Sequence, residues 1–581
     1  MNKLIKFCFN STYFKLIIIL LFALFLRLFR LSESPPRLTH DEMSIGYNAF
    51  SIIKTGKDEW GKILPLDFEA FGDHKLPGYI YALAPFLAFF QLSSFVVKIP
   101  SILAGVAVVI GIFLIIKNLT KNDSLSLFGA LLMAISPWSI QISRMALESH
   151  LALLFFIFGL YYLLTMFDFK KNNTKNFIFN NYRVILSAIL LGLTSYFYVA
   201  YRLITFLLII ILFILSLKYE LNRKKILIFC LFFLIIVSPI MQQIFGKSGS
   251  ARFNQISMFS DEGINSTILE QHNFCFLSQP KFLPKVCRLI YNKPFLYVET
   301  FTKNYLTFIF PSFLFINGDK LEYLNNPGFG EFYLFLVPFY LIGVYEWFKK
   351  TGYKANLIKI CFLISPIPSA LAGYPQIVRG SALLPFIILF ISFGIFEVFS
   401  LIKNRYFKIM FYLLIIFLLL ISFIRFYVSY TYIYPGKYET AFYPLSDKLV
   451  AFLDNQESNY DMIYFDKNSF PDAHILISFY QKIDPLWYQE NILRPINKDG
   501  FGFSHPTKLG KYEFGENIVD NFICMTDDKR KILYITNNSQ IIPQWNLKDF
   551  SNVHIQTKIY DIDKTRDELR SSNKFLSICH D

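Results

Sequence analysis

Charge is scarce in this chain. Only 17% of its 581 residues are Asp, Glu, Lys or Arg, against about a quarter in an ordinary soluble domain, and the centres of its apolar runs hold almost none. Those runs are too long to form a soluble core, so the chain reads as a polytopic membrane protein. Uncharged run centres also argue against a transporter or channel, which carries ionisable groups or broken helices at mid-membrane. No small-residue cleavage site follows "LLFALFLRLFRL", so the amino-terminal segment reads as an uncleaved first span with a cytosolic start. Acidic residues are the scarcer sign, 42 against 57 basic, for a net charge of +15. The basic excess sits in short segments between apolar runs, such as "KKTGYK" and "KNRYFK". No basic-aromatic patch accompanies it, so nucleic acid is not the expected partner and the charges read as topology signals.

Apolar stretches of roughly 17 to 24 residues fall at 14–31, 99–117, 124–141, 149–167, 184–199, 202–217, 226–243, 331–348, 355–372, 381–400 and 406–428, about eleven spans. Placing the amino terminus, "KNLTKND", "DFKKNNTKNFIFNNYR", "KYELNRKK", "KKTGYK" and "KNRYFK" in the cytoplasm agrees with strict alternation. The segment "PGYIYALAPFLAFFQLSSF" (77–95) would reverse it. Pro77 and Pro85 weaken its helix, and a re-entrant or interfacial segment is expected. If it spans, "YLTFIFPSFLFI" (305–316) restores parity and the count rises to about thirteen.

The expected fold is therefore an α-helical polytopic bundle over residues 1–431, with outer loops at about 32–98 and 244–330, followed by a small soluble α/β domain over 432–581. In that tail "DMIYFD", "HILISFY" and "KILYIT" read as short strands. Cys275 and Cys287 share the long outer loop and Cys524 and Cys579 share the tail, while Cys8, Cys230 and Cys361 lie inside or within spans. Two disulfides in an oxidising periplasm fit this map, and four unpaired thiols are the alternative.

Unusual polar clusters collect on the outer side. "THDEMSIGYNAF" places Asp41 and Glu42 beside His40, where an interfacial helix starting near Thr39 fits. An acidic pair after a Thr is also a helix cap favoured by the helix dipole. "SRMALESH" sets Arg144 four residues before Glu148, with His150 nearby; the plain reading is an intrahelical ion pair. "YFYVAYR" gives Tyr196, Tyr198, Tyr201 and Arg202, which an aromatic belt with a snorkelling Arg would explain. "GYPQIVRG" adds Tyr374 and Arg379. Lys75, Arg202 and Arg379 suit an anionic headgroup. A carboxylate on the same face could act as general base or hold a divalent cation. Together these needs describe sugar transfer from a lipid-linked phosphate donor.

"RLTHDEMSIGYNAFSI", "GDHKLPGYIYAL", "VVKIPSILAGV", "SPWSIQISRMALESH", "TSYFYVAYRL", "YLTFIFPSFLFINGD" and "PIPSALAGYPQIVRGSALLP" resemble, in order, the signature segments of bacterial membrane glycosyltransferases related to the protein O-mannosyltransferases and the lipid A aminoarabinose transferases. The resemblance covers about 14–445. It implies a GT-C-like bundle, a polyprenyl-phosphate sugar donor, and inversion at the anomeric carbon. The charge threading, among membrane lipids of a bacterial cytoplasmic (inner) membrane, puts the catalytic face and the C-terminal domain on the extracytoplasmic side, and the acceptor is left open between protein, lipid and glycan. The family's first-loop acidic pair falls on Asp41 and Glu42, with Asp41 the expected catalytic carboxylate and the candidate ligand of a divalent cation. Its second polar site falls on Asp73, His74 and Lys75, although Leu76 intervenes before Pro77. A basic position falls on Lys98, where many members have Arg. Donor phosphate and substrate contacts are expected from these residues and from Arg144, Glu148, Tyr201, Arg202 and Arg379. No nucleotide-binding motif occurs, which fits a lipid-linked donor. The rival readings are a transporter, an oligosaccharide ligase or oligosaccharyltransferase, and a non-catalytic polyprenyl-lipid-binding protein.

Overall fold

The computed structural model describes residues 11–70, 73–168, 177–246, 257–260, 262–277, 284–439, 442, 446–495, 504–516, 519–524, 530–537, 548–549 and 558–571. The chain forms two compact units, one of residues 1–31 and 100–434, the other of residues 32–99 and 435–581. The sequence partition at 431 placed 32–99 with the membrane bundle, whereas here that segment folds with the C-terminal residues.

The first unit is a helical bundle. Helices Thr12–Leu28, Asp123–Ile135, Glu148–Thr165, Phe177–Phe197, Val199–Lys218, Val337–Lys349 and Arg405–Val428 fall on apolar runs of the sequence. Polar caps start several of them: Asn122 Oδ1 accepts from the Leu125 amide at 3.0 Å and Asn404 Oδ1 from the Tyr406 amide at 2.8 Å, relieving amides that would otherwise lack partners. Among the described residues seven helices are long and apolar enough to cross a membrane, and the pair Asp123–Ile135 and Pro137–Ser143, bent by 55°, makes an eighth. Large apolar side chains such as Phe206, Phe213, Leu231, Leu413, Phe417 and Ile424 point outward from these helices, as lipid-facing residues do. The 13-residue helix Pro77–Phe89 is about 20 Å long, short of the roughly 30 Å hydrocarbon core. Its prolines do not break it: Pro77 occupies the first turn, where no amide bond is lost, and Pro85 is carried inside. The expected long loop at 244–330 is largely helical, with Glu262–Leu277, Pro284–Ile290 and Lys293–Ile309, and Cys275 and Cys287 form a disulfide within it. Cys524 is also disulfide-bonded; Cys579 lies outside the described residues.

The second unit combines helix His40–Thr55, the hairpin of β1 (Phe68–Ala70) and β2 (Asp73–Lys75), helix Pro77–Phe89 and a seven-stranded mixed sheet. The sheet strands are β3 (Met462–Asp466), β4 (Ile492–Leu493), β5 (Lys508–Leu509), β6 (Tyr512–Gly515), β7 (Ile532–Thr536), β8 (Lys548–Asp549) and β9 (Lys558–Asp561), in the order β4-β5-β6-β3-β7-β9-β8. Central β3 runs parallel to both neighbours. "DMIYFD" and "KILYIT" are strands, but "HILISFY" is the helix Ala473–Tyr480. A short apolar run buried on every side has no period to tell strand from helix, and seven of this helix's residues are buried. Helix His40–Thr55 packs on Pro77–Phe89, Ala473–Tyr480 and Pro485–Asn491.

One crossing in the bundle has no room for a side chain. Helices Val337–Lys349 and Leu384–Leu401 meet at Gly343 and Gly394: a Cβ on Gly343 would lie 1.8 Å from Phe390 O, and one on Gly394 would lie 1.9 Å from Phe339 O. The backbones therefore touch, as at small-residue crossings in membranes. Gly394→Leu is expected to force these helices apart at a cost of about 1–3 kcal/mol or more, read as a lowered thermal midpoint and lower yield in detergent; an unchanged midpoint would show that the contact is dispensable.

Candidate functional site

The acidic pair after the first span divides its labour. Thr39 caps helix His40–Thr55: its Oγ1 accepts from the Glu42 amide at 3.3 Å while Glu42 Oε2 accepts from the Thr39 amide at 2.9 Å. This reciprocal cap occupies the buried Glu42. Asp41, one position earlier, is half-exposed and forms an ion pair with Lys75, whose side chain is buried. The β1–β2 hairpin delivers that lysine, pairing Lys75 with Phe68 and His74 with Glu69. His74 Nδ1 lies 2.9 Å from Asp67 Oδ2, Asp73 opens β2, and His40 Nε2 lies 3.8 Å from Asp41 Oδ2. Burial holds the His40 imidazole below its usual value, with Asp41 opposing. Lys98 is buried near the start of helix Ser94–Thr120.

A residue that sequence reasoning missed joins this group. Asp472 precedes helix Ala473–Tyr480 in the left-handed region, with φ 60° and ψ 32°, and makes no cap bond to that helix. Its carboxyl is pushed up to about 7, first by burial, then by the Asp41 charge, with Lys75 opposing and Glu59 adding. "PDAHILISFY" carried a turn-then-helix signal at Pro471–Asp472 that the strand reading obscured. Beneath lies a polar network: Asn48 Nδ2 donates to Glu59 Oε1 at 3.2 Å, the Tyr488 hydroxyl to Glu59 Oε2 at 3.3 Å, and the Arg494 guanidinium sits 3.8 Å over the Trp60 ring. Burial raises the Glu59 carboxyl, against the pull of Arg494.

In the bundle unit, Arg379 donates to Ala372 O at 2.8 Å and lies 5.4 Å over the Tyr374 ring. It also hydrogen-bonds the Tyr198 side chain, which feels the charges of Glu148 and Asp319. Asp319 holds the Arg379 turn, accepting from the amides of Ile377 at 2.7 Å and Leu321 at 2.8 Å. Burial pushes its carboxyl up to about 6, and the buried Glu331, which accepts from the Asp319 amide at 3.1 Å, is raised well above the carboxylate range by burial and then by Asp319. Neither Asp319 nor Glu331 was singled out in the sequence, because their partners are backbone amides, which no side-chain motif marks, and the Ile377 amide lies 58 residues from Asp319.

The remaining expected residues have other partners. Arg144 and Glu148 do not share a helix face: Pro137–Ser143 ends at Arg144 and the next helix begins at Glu148. Arg144 is buried, donates to Leu26 O at 2.6 Å and faces the Tyr430 ring. His150 shares a 2.9 Å hydrogen bond with Ser101. Tyr201 is buried against Phe156 and shares a 3.0 Å bond with Ser381. Arg202 bridges Ser195 O at 3.0 Å and Gln243 Oε1 at 2.7 Å. No group of three or more His, Cys, Asp or Glu side chains spaced to hold a metal occurs among the described residues.

This arrangement belongs to a recognisable class: the protein is a polytopic membrane protein with the fold of the GT-C glycosyltransferases. ArnT from Cupriavidus metallidurans, solved bound to undecaprenyl phosphate, matches 94% of this chain and 97% of its own at a TM-score of 0.51 and 10% identity. AglB, an archaeal oligosaccharyltransferase from Archaeoglobus fulgidus solved with an inhibitory peptide and a dolichol-phosphate, matches 81% of this chain at a TM-score of 0.50 and 13% identity; the chain spans 63% of its length. The model of the dolichyl-phosphate-mannose-protein mannosyltransferase family matches residues 74–242. No curated protein matches it in sequence. The ArnT likeness runs past residue 445, where the sequence resemblance stops, into the C-terminal sheet.

The division between Asp41 and Glu42 can be checked. Glu42→Ala is expected to cost about 0.5–2 kcal/mol of stability through the lost cap, while Glu42→Gln, which can still accept from the Thr39 amide, keeps the wild-type thermal midpoint. Equal loss in both variants would show that the charge, and not the cap, is what matters.

Proposed function

We propose that the chain is an inverting glycosyltransferase that moves a sugar from a polyprenyl-phosphate-linked donor to an acceptor at the outer face of the bacterial cytoplasmic membrane, with Asp41 as its base. The observation that carries this reading is the half-exposed Asp41 carboxylate at a helix N-terminus, ion-paired with the buried Lys75, in the segment that follows the first apolar helix of a GT-C fold. The ammonium of Lys75 is the counter-charge of that carboxylate, and a general base must lie within reach of the proton it takes.

In the reaction, the acceptor hydroxyl attacks the anomeric carbon, the bond from that carbon to the phosphate oxygen breaks with its electron pair going to phosphate, and the hydroxyl proton passes to Asp41. Lys75, ion-paired with Asp41, is the cation of the same unit that this reading assigns to the departing lipid phosphate. The solved complexes of ArnT with undecaprenyl phosphate and of AglB with dolichol-phosphate support a lipid-phosphate donor. The Cys275–Cys287 disulfide supports an oxidising, extracytoplasmic setting for the loop that carries it. Asp41 stays a candidate ligand of a divalent cation, and the transfer is written without one.

Asp41→Asn is expected to lower transfer from polyprenyl-phosphate sugars in membranes by roughly 100- to 10,000-fold with expression and thermal midpoint kept. Normal turnover by that variant would remove Asp41 from the mechanism.

A further inference from the structure

The Asp41–Lys75 ion pair is made by two short pieces of chain. Asp41 stands in the first turn of helix His40–Thr55 and Lys75 ends a three-residue strand, and a two-stranded hairpin is marginally stable by itself. Residues from the far end of the chain hold both sides. On the Asp41 side, helix Ala473–Tyr480 is pressed onto helix His40–Thr55 so closely that a Cβ on Gly46 would lie 2.6 Å from the Phe479 ring and 2.8 Å from Val97, and the Tyr47 hydroxyl donates to Ile483 O at 3.1 Å. On the Lys75 side the connection runs through one indole. The Arg494 guanidinium lies 3.8 Å over the Trp60 ring, and at the ring edge Trp60 Nε1 donates to Glu69 O at 2.7 Å. Glu69 is the middle residue of β1, where Phe68 pairs with Lys75 and Glu69 with His74 of β2.

The loop that carries Trp60 is itself fixed. Gly56 closes helix His40–Thr55 in the left-handed region, with φ 70°. Asp58 Oδ1 then accepts from the amides of Trp60 at 2.9 Å and Lys62 at 2.8 Å, and Gln489 Nε2 donates to Asp58 O at 2.8 Å. Trp60 therefore has its backbone set by Asp58 and its ring face set by Arg494. The indole has a single polar atom, and that atom is directed to the strand paired with the one bearing Lys75. Packing alone would account for any aromatic ring at this position, whereas the N–H bond accounts for an indole.

We propose that Trp60, braced by Arg494, is a positioning residue of the transfer site: its N–H holds β1, β1 holds β2 in register, and β2 sets where the Lys75 ammonium stands beside Asp41. The proposal rests on the assignment of Asp41 and Lys75 to the reaction. It gives the C-terminal residues a part in transfer without contact with substrate or reacting atoms. A misplacement of about 1 Å in a group that meets the reacting atoms costs on the order of 100-fold in rate. The exposed Lys62–Glu69 pair, 3.4 Å long and on the same strand residue, holds little by comparison because solvent screens it.

The test uses the full-length protein and two readouts. Trp60→Phe keeps a ring beneath Arg494 and loses the N–H. It should lower kcat for transfer from polyprenyl-phosphate sugars by roughly 10- to 100-fold, with KM for the donor within about twofold and the thermal midpoint lowered by no more than about 4 °C. Independently of activity, acylation of Lys75 by a water-soluble N-hydroxysuccinimide ester, followed by mass spectrometry, should run roughly fivefold faster in Trp60→Phe than in wild type, where the side chain is buried. Arg494→Lys keeps a positive charge near the buried Glu59 and loses the flat guanidinium; it should move both readouts in the same direction by a smaller factor, and the double variant should be no worse than Trp60→Phe. Lys62→Gln should match wild type in both. Wild-type kcat or wild-type Lys75 acylation in a folded Trp60→Phe, additive losses in the double variant, or an equal loss in Lys62→Gln would each overturn the proposal, and the Arg494→Lys readouts decide alone if Trp60→Phe does not fold. Asp41→Asn run in parallel separates the two ideas: its full activity would sink the base assignment, while Lys75 acylation in Trp60→Phe still reports on the tether itself.

Discussion

A buried ammonium must have an anion, and in this protein that requirement joins the β1–β2 hairpin to the start of helix His40–Thr55. Lys75 is carried on a two-stranded hairpin with its side chain buried, and taking its charge out of water costs several kcal/mol unless a partner is close. Asp41 is that partner. The pair fixes the hairpin against the N-terminus of helix His40–Thr55, where the helix dipole already favours a carboxylate. The reciprocal bonds of Thr39 and Glu42 fix where the helix begins, and hence which way Asp41 projects. Exposure of one partner and burial of the other gives a carboxylate that is held yet accessible, which a general base needs and a purely structural ion pair does not.

The same residues show what could be read from the sequence alone. Local signals were legible: the helix starting at Thr39, the apolar runs that became bundle helices, and the sharing of one loop by Cys275 and Cys287 each depend on neighbours a few residues away. Of the two readings of "DE", the cap falls on Glu42, and Asp41, on which the expected chemistry was placed, is ion-paired with Lys75 instead. The Arg144–Glu148 spacing misled because spacing implies a shared face only in unbroken helix, and the chain turns between them. Asp472, Asp319 and Glu331 were out of reach for another reason. Their chemistry comes from burial and from partners tens or hundreds of residues away, and neither leaves a mark in a short window of sequence.

Non-local contact also explains the composition of the second unit. Glu59 is buried beneath Asn48 and Tyr488, and Arg494 lies over Trp60. A carboxylate in that position is tolerable because each oxygen has a hydrogen-bond donor and a guanidinium is near. The C-terminal residues thus have a structural task, sealing the polar underside of the segment that bears Asp41, before any question of chemistry arises.

Because residues 32–99 and 435–581 make one body, its two parts leave the ribosome with roughly 340 residues between them, an interval on the order of tens of seconds at about 5–20 residues per second. For that time the Gly46 face and the Glu59 pocket have no mate. A chain cut short before its last quarter would carry helix His40–Thr55 without Ala473–Tyr480 and Pro485–Asn491, the helices it packs on, and would leave an apolar face open to misassembly.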